Sequence, residues 1–366
     1  MENKMTCVAC GETLTGKMHK SYLEYLYCPK CMEDVPCDCC GKKVWKIVAA
    51  RDDNITLCFD CYRRSYLSCE ECGRIILKKD AVYFDDCDYP YCRECYERVG
   101  ESTIKVYKYK PEPIFYGSGN LFMGVELEID KGGESCEAAR EFLDIANCRN
   151  NRIYCKRDGS IFNGFEIVSH LMTLDYHVNS MNWRDIFAKA LKMGYCSYNA
   201  ESCGLHIHVN RSAFGKDKED REEAIGRVVF FVEKHWNELA KFSRRTKKSL
   251  YRWAAKYATI SNTTEETYKK AKDKRLGRYV AVNLENFGTI EFRLFRGTLR
   301  YTTFIAALQL ADEICRCAIN MTDREIEEMS WLDFVGRIPP NKPELIDYLK
   351  EKRLYVNEIT TESKDM

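Results

Sequence analysis

The sequence predicts an α+β domain with a largely antiparallel sheet and flanking helices, preceded by a small cysteine-rich tandem-repeat module. Three observations carry this prediction. Of 21 cysteines, fourteen lie before residue 96, in a spacing that repeats three times. Four later segments alternate apolar and polar residues with the period of two that marks a half-buried strand, and helical stretches of varied length separate them. Asn286-Phe287-Gly288 falls between two apolar runs and reads as a hairpin turn.

The chain's 366 residues, 45% of them hydrophobic, suffice for two domains and at least one sizeable core. With 57 basic against 56 acidic residues, long-range attraction to nucleic acid or to an anionic membrane is not favoured as the main activity. No apolar run approaches the roughly 20 residues needed to cross a bilayer. The segment Met1 to Cys7 carries no apolar core of a signal peptide, so the expected location is the cytoplasm.

Residues 1–100 read as three tandem four-cysteine modules. Cys7-x2-Cys10 is followed by Cys28-x2-Cys31, Cys37-x2-Cys40 by Cys58-x2-Cys61, and Cys69-x2-Cys72 by Cys92-x2-Cys95. A Cys-x2-Cys pair puts two sulfurs on one tight turn, and a second such turn completes the tetrahedron that zinc prefers. Gly11, Gly41 and Gly73 each follow the first pair of a copy, as expected of a knuckle that needs an unusual backbone angle. The alternative is a disulfide-rich secreted module, against which the start of the chain argues. Cys39 and Cys87 are left over, and Cys37-Asp38-Cys39-Cys40 leaves the choice of ligand open there. Three structural Zn2+ ions are expected. Four protein ligands leave no open position for substrate, so these ions are not expected to be catalytic. Residues 1–100 carry 15 Lys and Arg against 17 Asp and Glu. Zinc tetrathiolates add further negative charge, which points to protein recognition rather than to phosphate binding.

Residues 101–120, with Lys-Pro-Glu-Pro and Gly-Ser-Gly, read as a linker or lead-in strand. A second domain follows over 121–352, with a polar tail over 353–366. Strands are expected at 121–130, 152–156, 162–169, 203–210, 278–284 and 288–295. Helices are expected at 135–148, at 175–193, from 218 to 242 with more helix to about 275, and across 301–319, 323–335 and 343–352.

Four of the strands carry charge on one face. Glu126 and Glu128 oppose Val125, Leu127 and Ile129; Glu166 opposes Phe165 and Ile167; His206 and His208 oppose Leu205, Ile207 and Val209; and Glu291 and Arg293 oppose Ile290, Phe292 and Leu294. For any one strand, a sheet face in water is the plain explanation. Taken together, like charges gathered on a common face call for compensating cations, and oxygen-rich donors suit Mg2+ or Mn2+ carrying ATP phosphates. Arg293, Arg296 and Arg278 are then placed to neutralise a transferring phosphoryl group. Neither Gly-x4-Gly-Lys-Ser/Thr nor His-Glu-x2-His occurs, so P-loop and zincin readings lose their support. The run Arg244-Arg245-Thr-Lys-Lys248 with Arg252 and Lys256 is a solvated helix face or an anion site. Tyr251 and Trp253 are expected to pack, and Cys315 and Cys317 to be buried thiols.

In order along the chain stand Gly124-Val-Glu-Leu-Glu128, Arg157-Asp-Gly-Ser160, Gly164-Phe-Glu-Ile-Val-Ser169, Cys203-Gly-Leu-His-Ile-His208 and Thr289-Ile-Glu-Phe-Arg-Leu-Phe-Arg-Gly-Thr298. This series resembles the amidoligase family, over roughly 120–320. The resemblance implies a sheet of the glutamine-synthetase-like type and a carboxylate–amine ligase of the glutamine synthetase and glutamate-cysteine ligase superfamily, working through an acyl phosphate. It implies that Glu126, Glu128, Asp158, Glu166, His206 and Glu291 hold two or three Mg2+ ions and the ATP phosphates, with Arg293 and Arg296 on the transferring phosphoryl. Arg278 and Asn283 match positions near the nucleotide or the acyl substrate. His208 is a ligand or a structural neighbour of His206. A zinc module is not part of that superfamily's catalytic domain, and its expected role is to recruit a peptide or protein substrate. The other readings are an interaction adaptor with an inactive ligase-like domain and a metal-dependent hydrolase.

Overall fold

The computed structural model describes residues 6–14, 20–22, 25–83, 89–100, 102–148, 150–198, 203–257, 263–272 and 277–355. Cys87 and residues 356–366 of the polar tail lie outside them. The chain forms two compact units, residues 1–102 with 108–111 and residues 103–107 with 112–366.

In the first unit the three four-cysteine copies fold alike. Gly11, Gly41 and Gly73 take φ of 74°, 73° and 71°, the left-handed region that glycine enters without a Cβ penalty. Their N–H groups turn back onto Cys7 O, Cys37 O and Cys69 O at 2.8, 2.8 and 2.9 Å. Short antiparallel hairpins pair Asp34–Pro36 with Lys43–Trp45, Ala50–Arg51 with Thr56–Leu57, and Tyr66–Ser68 with Ile75–Leu77. In the second and third copies the last cysteines, Cys61 and Cys95, sit on helices Phe59–Ser65 and Arg93–Gly100.

Among the described residues, the second unit is built on a nine-stranded sheet. Its strands are β1 (Ile104–Lys105), β2 (Phe115–Tyr116), β3 (Met123–Ile129), β4 (Ile153–Lys156), β5 (Phe165–Ser169), β6 (Leu171–Met172), β7 (Gly204–Asn210), β8 (Val282–Asn283) and β9 (Thr289–Arg296). The spatial order is β8-β9-β7-β3-β5-β4-β1, with β6 beside the start of β3 and β2 on β6. Pairing is antiparallel except at β4/β1 and β2/β6. The stretch 101–120, read as a linker or lead-in strand, carries two short strands, β1 and β2. The late hairpin is present as β8/β9, but β8 is two residues long where seven were expected.

Apolar side chains of one sheet face, among them Val125, Leu127, Phe165, Ile207 and Phe292, are buried with the helices in a single core. The helices are α1 (Cys136–Asn147), α2 (Leu174–Asn179), α3 (Trp183–Lys192), α4 (Lys218–Lys234), α5 (Trp236–Ser243), α6 (Lys247–Trp253), α7 (Thr264–Ala271), α8 (Tyr301–Asn320), α9 (Asp323–Glu328), α10 (Trp331–Arg337) and α11 (Pro343–Glu351). In α1, Ser135 caps the N-terminus and Ala138, Ala139, Phe142 and Ala146 form the buried stripe. Three expected helices are broken. The stretch 175–193 divides at Ser180–Asn182. The stretch 218–242 divides at His235, whose ring packs on Phe231 at 4.5 Å, and Arg244 ends α5 in the left-handed conformation, φ 61°. The stretch 323–335 divides because Ser330 and Asp333 form a second capping box after that of Thr322 and Glu325. Among the described residues, no helix is long and apolar enough to cross a membrane.

Candidate active site and zinc sites

Each four-cysteine set brings its sulfurs within 4.8 Å of one another. Sulfur pairs Cys10/Cys28, Cys40/Cys58 and Cys72/Cys92 lie 3.7, 3.8 and 4.0 Å apart. A tetrahedron with zinc–sulfur bonds of about 2.3 Å has edges of about 3.8 Å, so the spacing fits zinc. Cys37 and Cys40 belong to the second set and Cys39 does not. Burial pushes the Cys7 and Cys37 thiols up, but backbone N–H groups aimed at their sulfurs, from Cys28, Cys10 and Ala9 and from Cys58, Cys40 and Cys39, bring both down to about 6.

In the second unit, register gathers the charged face. Glu126 lies opposite His206, Glu128 opposite Glu166, and His208 opposite Glu291. This face is not solvated: Glu128, Glu166, His206 and Glu291 are 4%, 2%, 5% and 3% exposed. The side chains form two triads, Glu126–His206–Glu291 and Glu128–Asp158–Glu166, each with ligand atoms within 4.8 Å of one another.

In the first triad, His206 Nδ1 is 3.5 Å from Glu126 Oε2 and 3.6 Å from Glu291 Oε1, and His208 Nε2 is 3.5 Å from Glu126 Oε2. Asn283 and Asn286 donate to Glu291 Oε2 at 2.7 and 3.2 Å, and Arg293 donates to Oε1. Burial would raise Glu126, yet His208, Lys156 and His206 hold it well below the ordinary carboxylate range. Burial likewise opposes ionisation of Glu291, and His208, Arg293 and His206 outweigh it. The second triad is compensated only in part, by Lys156 at Glu166 and by His206 and Arg245 at Glu128. Burial, then Glu126, Asp158 and Glu128, drives Glu166 well above its usual value, and burial raises Glu128 although Gly204 N–H donates to it.

A β-bulge shapes the basic side. Leu205 pairs with Phe295 but Ile207 pairs with Phe292, so Arg293 and Leu294 together oppose His206. The extra residue lets Arg296, opposite Gly204, share the face of Glu291. Arg245 joins Arg293 and Arg296 from the α5–α6 corner, donating to Phe295 O at 3.1 Å and to Ser249 Oγ at 3.3 Å. Burial lowers it to about 10, with Glu128 opposing and Arg293 and Arg296 adding to the shift. Of the basic run, then, Arg245 is buried while Lys247, Lys248 and Arg252 are exposed.

The structure does not bring Arg278 to the carboxylates. It is exposed and donates to Tyr107 Oη and Tyr279 Oη at 3.2 Å. Tyr251 does not pack, being 83% exposed, whereas Trp253 meets Tyr279 edge-on at 5.4 Å. Cys315 and Cys317 are buried. Sequence reasoning missed Lys156, whose ammonium lies 3.6 Å from Glu126 and 3.3 Å from Glu166. Asp158, which the resemblance sets among the groups holding Mg2+ and the ATP phosphates, stands in the second triad.

A family model described as "Putative amidoligase enzyme" matches residues 130–315. The chain belongs to the amidoligase family. The match holds Asp158, Glu166, His206, Glu291 and the three arginines, and starts just past Glu126 and Glu128. No curated protein matches this amidoligase-family chain. Among solved structures it is similar to a bifunctional glutathione synthetase from Pasteurella multocida, with a TM-score of 0.36 and 13% identity over 64% of this chain and 46% of that one. The matched region is thus under half of that protein, and so slight a likeness carries no argument about chemistry.

Proposed function

We propose that this amidoligase-family protein is an ATP- and Mg2+-dependent ligase that joins a carboxylate to an amine, on a sheet of the glutamine-synthetase-like type within residues 121–352. The observation that carries the reading is the pair of buried triads beside Arg245, Arg293 and Arg296. Hard oxygen donors in the second triad fit Mg2+, and burial raises Glu128 and Glu166 in spite of Arg245 and Lys156 beside them. Glu126, His206 and Glu291 would hold one cation, and Glu128, Asp158 and Glu166 a second. Bound Mg-ATP supplies the phosphoryl group that makes the carboxylate oxygen a leaving group. Arg293 and Arg296, with Arg245 behind them, offer fixed positive charge where negative charge grows. His208, pushed down by burial but raised overall by Glu126 and Glu291, favours its cationic form and keeps Glu126 ionised. Asn283 and Asn286 aim Glu291.

The zinc unit, residues 1–100, is assigned to recruiting a peptide or protein substrate, because its four-cysteine sets are closed and its charge is acidic. The protein is assigned to the cytoplasm. The test is Mg-ATP turnover over panels of carboxylates and amines, with Glu126→Gln and Arg293→Ala as controls. ADP formed only when both substrates are present supports the ligase over a hydrolase or an inactive adaptor. No ADP with any pair, and no ATP binding by the wild type, rules the reading out.

A further inference from the structure

Across β3, β5 and β4, register sets Glu128, Glu166 and Lys156 in one row. The Lys156 side chain is 14% exposed, and its Nζ stands 3.3 Å from Glu166 Oε2 and 3.6 Å from Glu126 Oε1. Glu126 belongs to one triad and Glu166 to the other. Lys156 therefore bridges a carboxylate of one triad to a carboxylate of the other.

We propose that the Lys156 ammonium stands permanently where a third divalent cation would bridge Glu126 and Glu166, so that the site takes two divalent cations and not three. The proposal rests on the ligase reading above. A Mg2+ or Mn2+ ion bridging these carboxylates needs oxygens at about 2.1 Å and retained waters, for which the ammonium leaves no room. The two charges would also repel across a buried site. An ammonium tethered to β4 needs no dehydration step and does not exchange with solvent ions, so the centre of the acidic face keeps one positive charge whatever the metal supply. Glu126 and Glu166 would otherwise face each other with only the exchangeable ions between them.

The test uses the full-length, zinc-loaded chain and Mn2+ as probe, counting bound ions by equilibrium dialysis and by the resonance signal of free Mn2+. Two ions are expected for the wild type and for Lys156→Arg, and three for Lys156→Gln, whose fold is checked by circular dichroism. A folded Gln variant that still binds two overturns the proposal and leaves the ligase reading intact. A wild type that binds three overturns it without any variant, which keeps the test decisive if Lys156→Gln does not fold. A wild type that binds no Mn2+ removes the cation sites of the ligase reading, and the proposal with them.

Discussion

His206 and Arg245 close over the same missing side chain: a Cβ on Gly204 would lie 2.8 Å from His206 Nε2 and 2.4 Å from Arg245 Nη2. Gly204 also donates its N–H to Glu128. One glycine thus lets a histidine of the first triad, a carboxylate of the second and a buried arginine converge. Gly204→Ala forces the tip of Arg245 and the His206 ring to move. Turnover should fall about tenfold or more, ~1.4 kcal/mol of transition-state stabilisation, with little change in thermal stability because only side-chain ends shift. Steady-state kinetics and a melting curve on the same sample check this. Unchanged kinetics would show that the convergence does not matter.

The charged face was legible in the sequence because a strand repeats every two residues, and Glu126, Glu128, His206 and His208 obey that period. The shared face of Arg293 and Arg296 was not, since they stand three positions apart and only the bulge opposite His206 reconciles the spacing. Lys156 ends a strand whose pattern says nothing by itself; pairing with Glu166 gives it meaning. The helix breaks at His235 and at Ser180–Asn182 escaped because apolar periodicity runs through them, whereas the Ser330/Asp333 capping box was written in the sequence and could have been read. The four-cysteine sets were legible throughout, because metal spacing is a local rule.

The zinc unit gives a count. Purified protein should contain about three zinc per chain, and Cys58→Ser should lose one of them while the other two sets stay filled. Protons compete with zinc for thiolate. Backbone N–H groups favour the Cys7 and Cys37 thiolates against burial, so zinc should be retained at neutral pH and released on acidification. Metal analysis after dialysis across this range checks both points, and zinc-free wild type would overturn the assignment.

His177 is fully buried, its Nε2 2.8 Å from Met123 O and its Nδ1 3.3 Å from Trp183 Nε1. A carbonyl only accepts and an indole N–H only donates, so Nε2 carries the proton and the ring is neutral. Burial lowers its pKa from 6.5 to about 4, although the Met123 carbonyl opposes the shift. The unfolded chain binds the extra proton first, so this stability is complete above 6.5 and lost progressively as pH falls toward 4. The full contribution is about 3 kcal/mol, of which about 2 kcal/mol goes between about pH 7 and about pH 5. Urea unfolding at both pH values should show a smaller drop for His177→Gln than for the wild type. Equal drops would remove His177 as the cause.

Asn283 separates positioning from binding. It is buried and donates to Glu291 Oε2 at 2.7 Å, while Arg293 takes Oε1. Asn283→Ala removes one hydrogen bond to an ionised group, about 2 kcal/mol, but Asn286 and Arg293 still orient Glu291. Asn283→Asp is nearly the same shape yet puts a second carboxylate against the first in a buried site, where both cannot stay ionised. Glu291 then shares a proton with its neighbour and holds a cation poorly. Mn2+ affinity and turnover should therefore fall further in Asn283→Asp than in Asn283→Ala, although the aspartate variant keeps more of the packing. If the two variants lose metal affinity equally, Asn283 serves the fold alone and the orientation of Glu291 is set by Arg293.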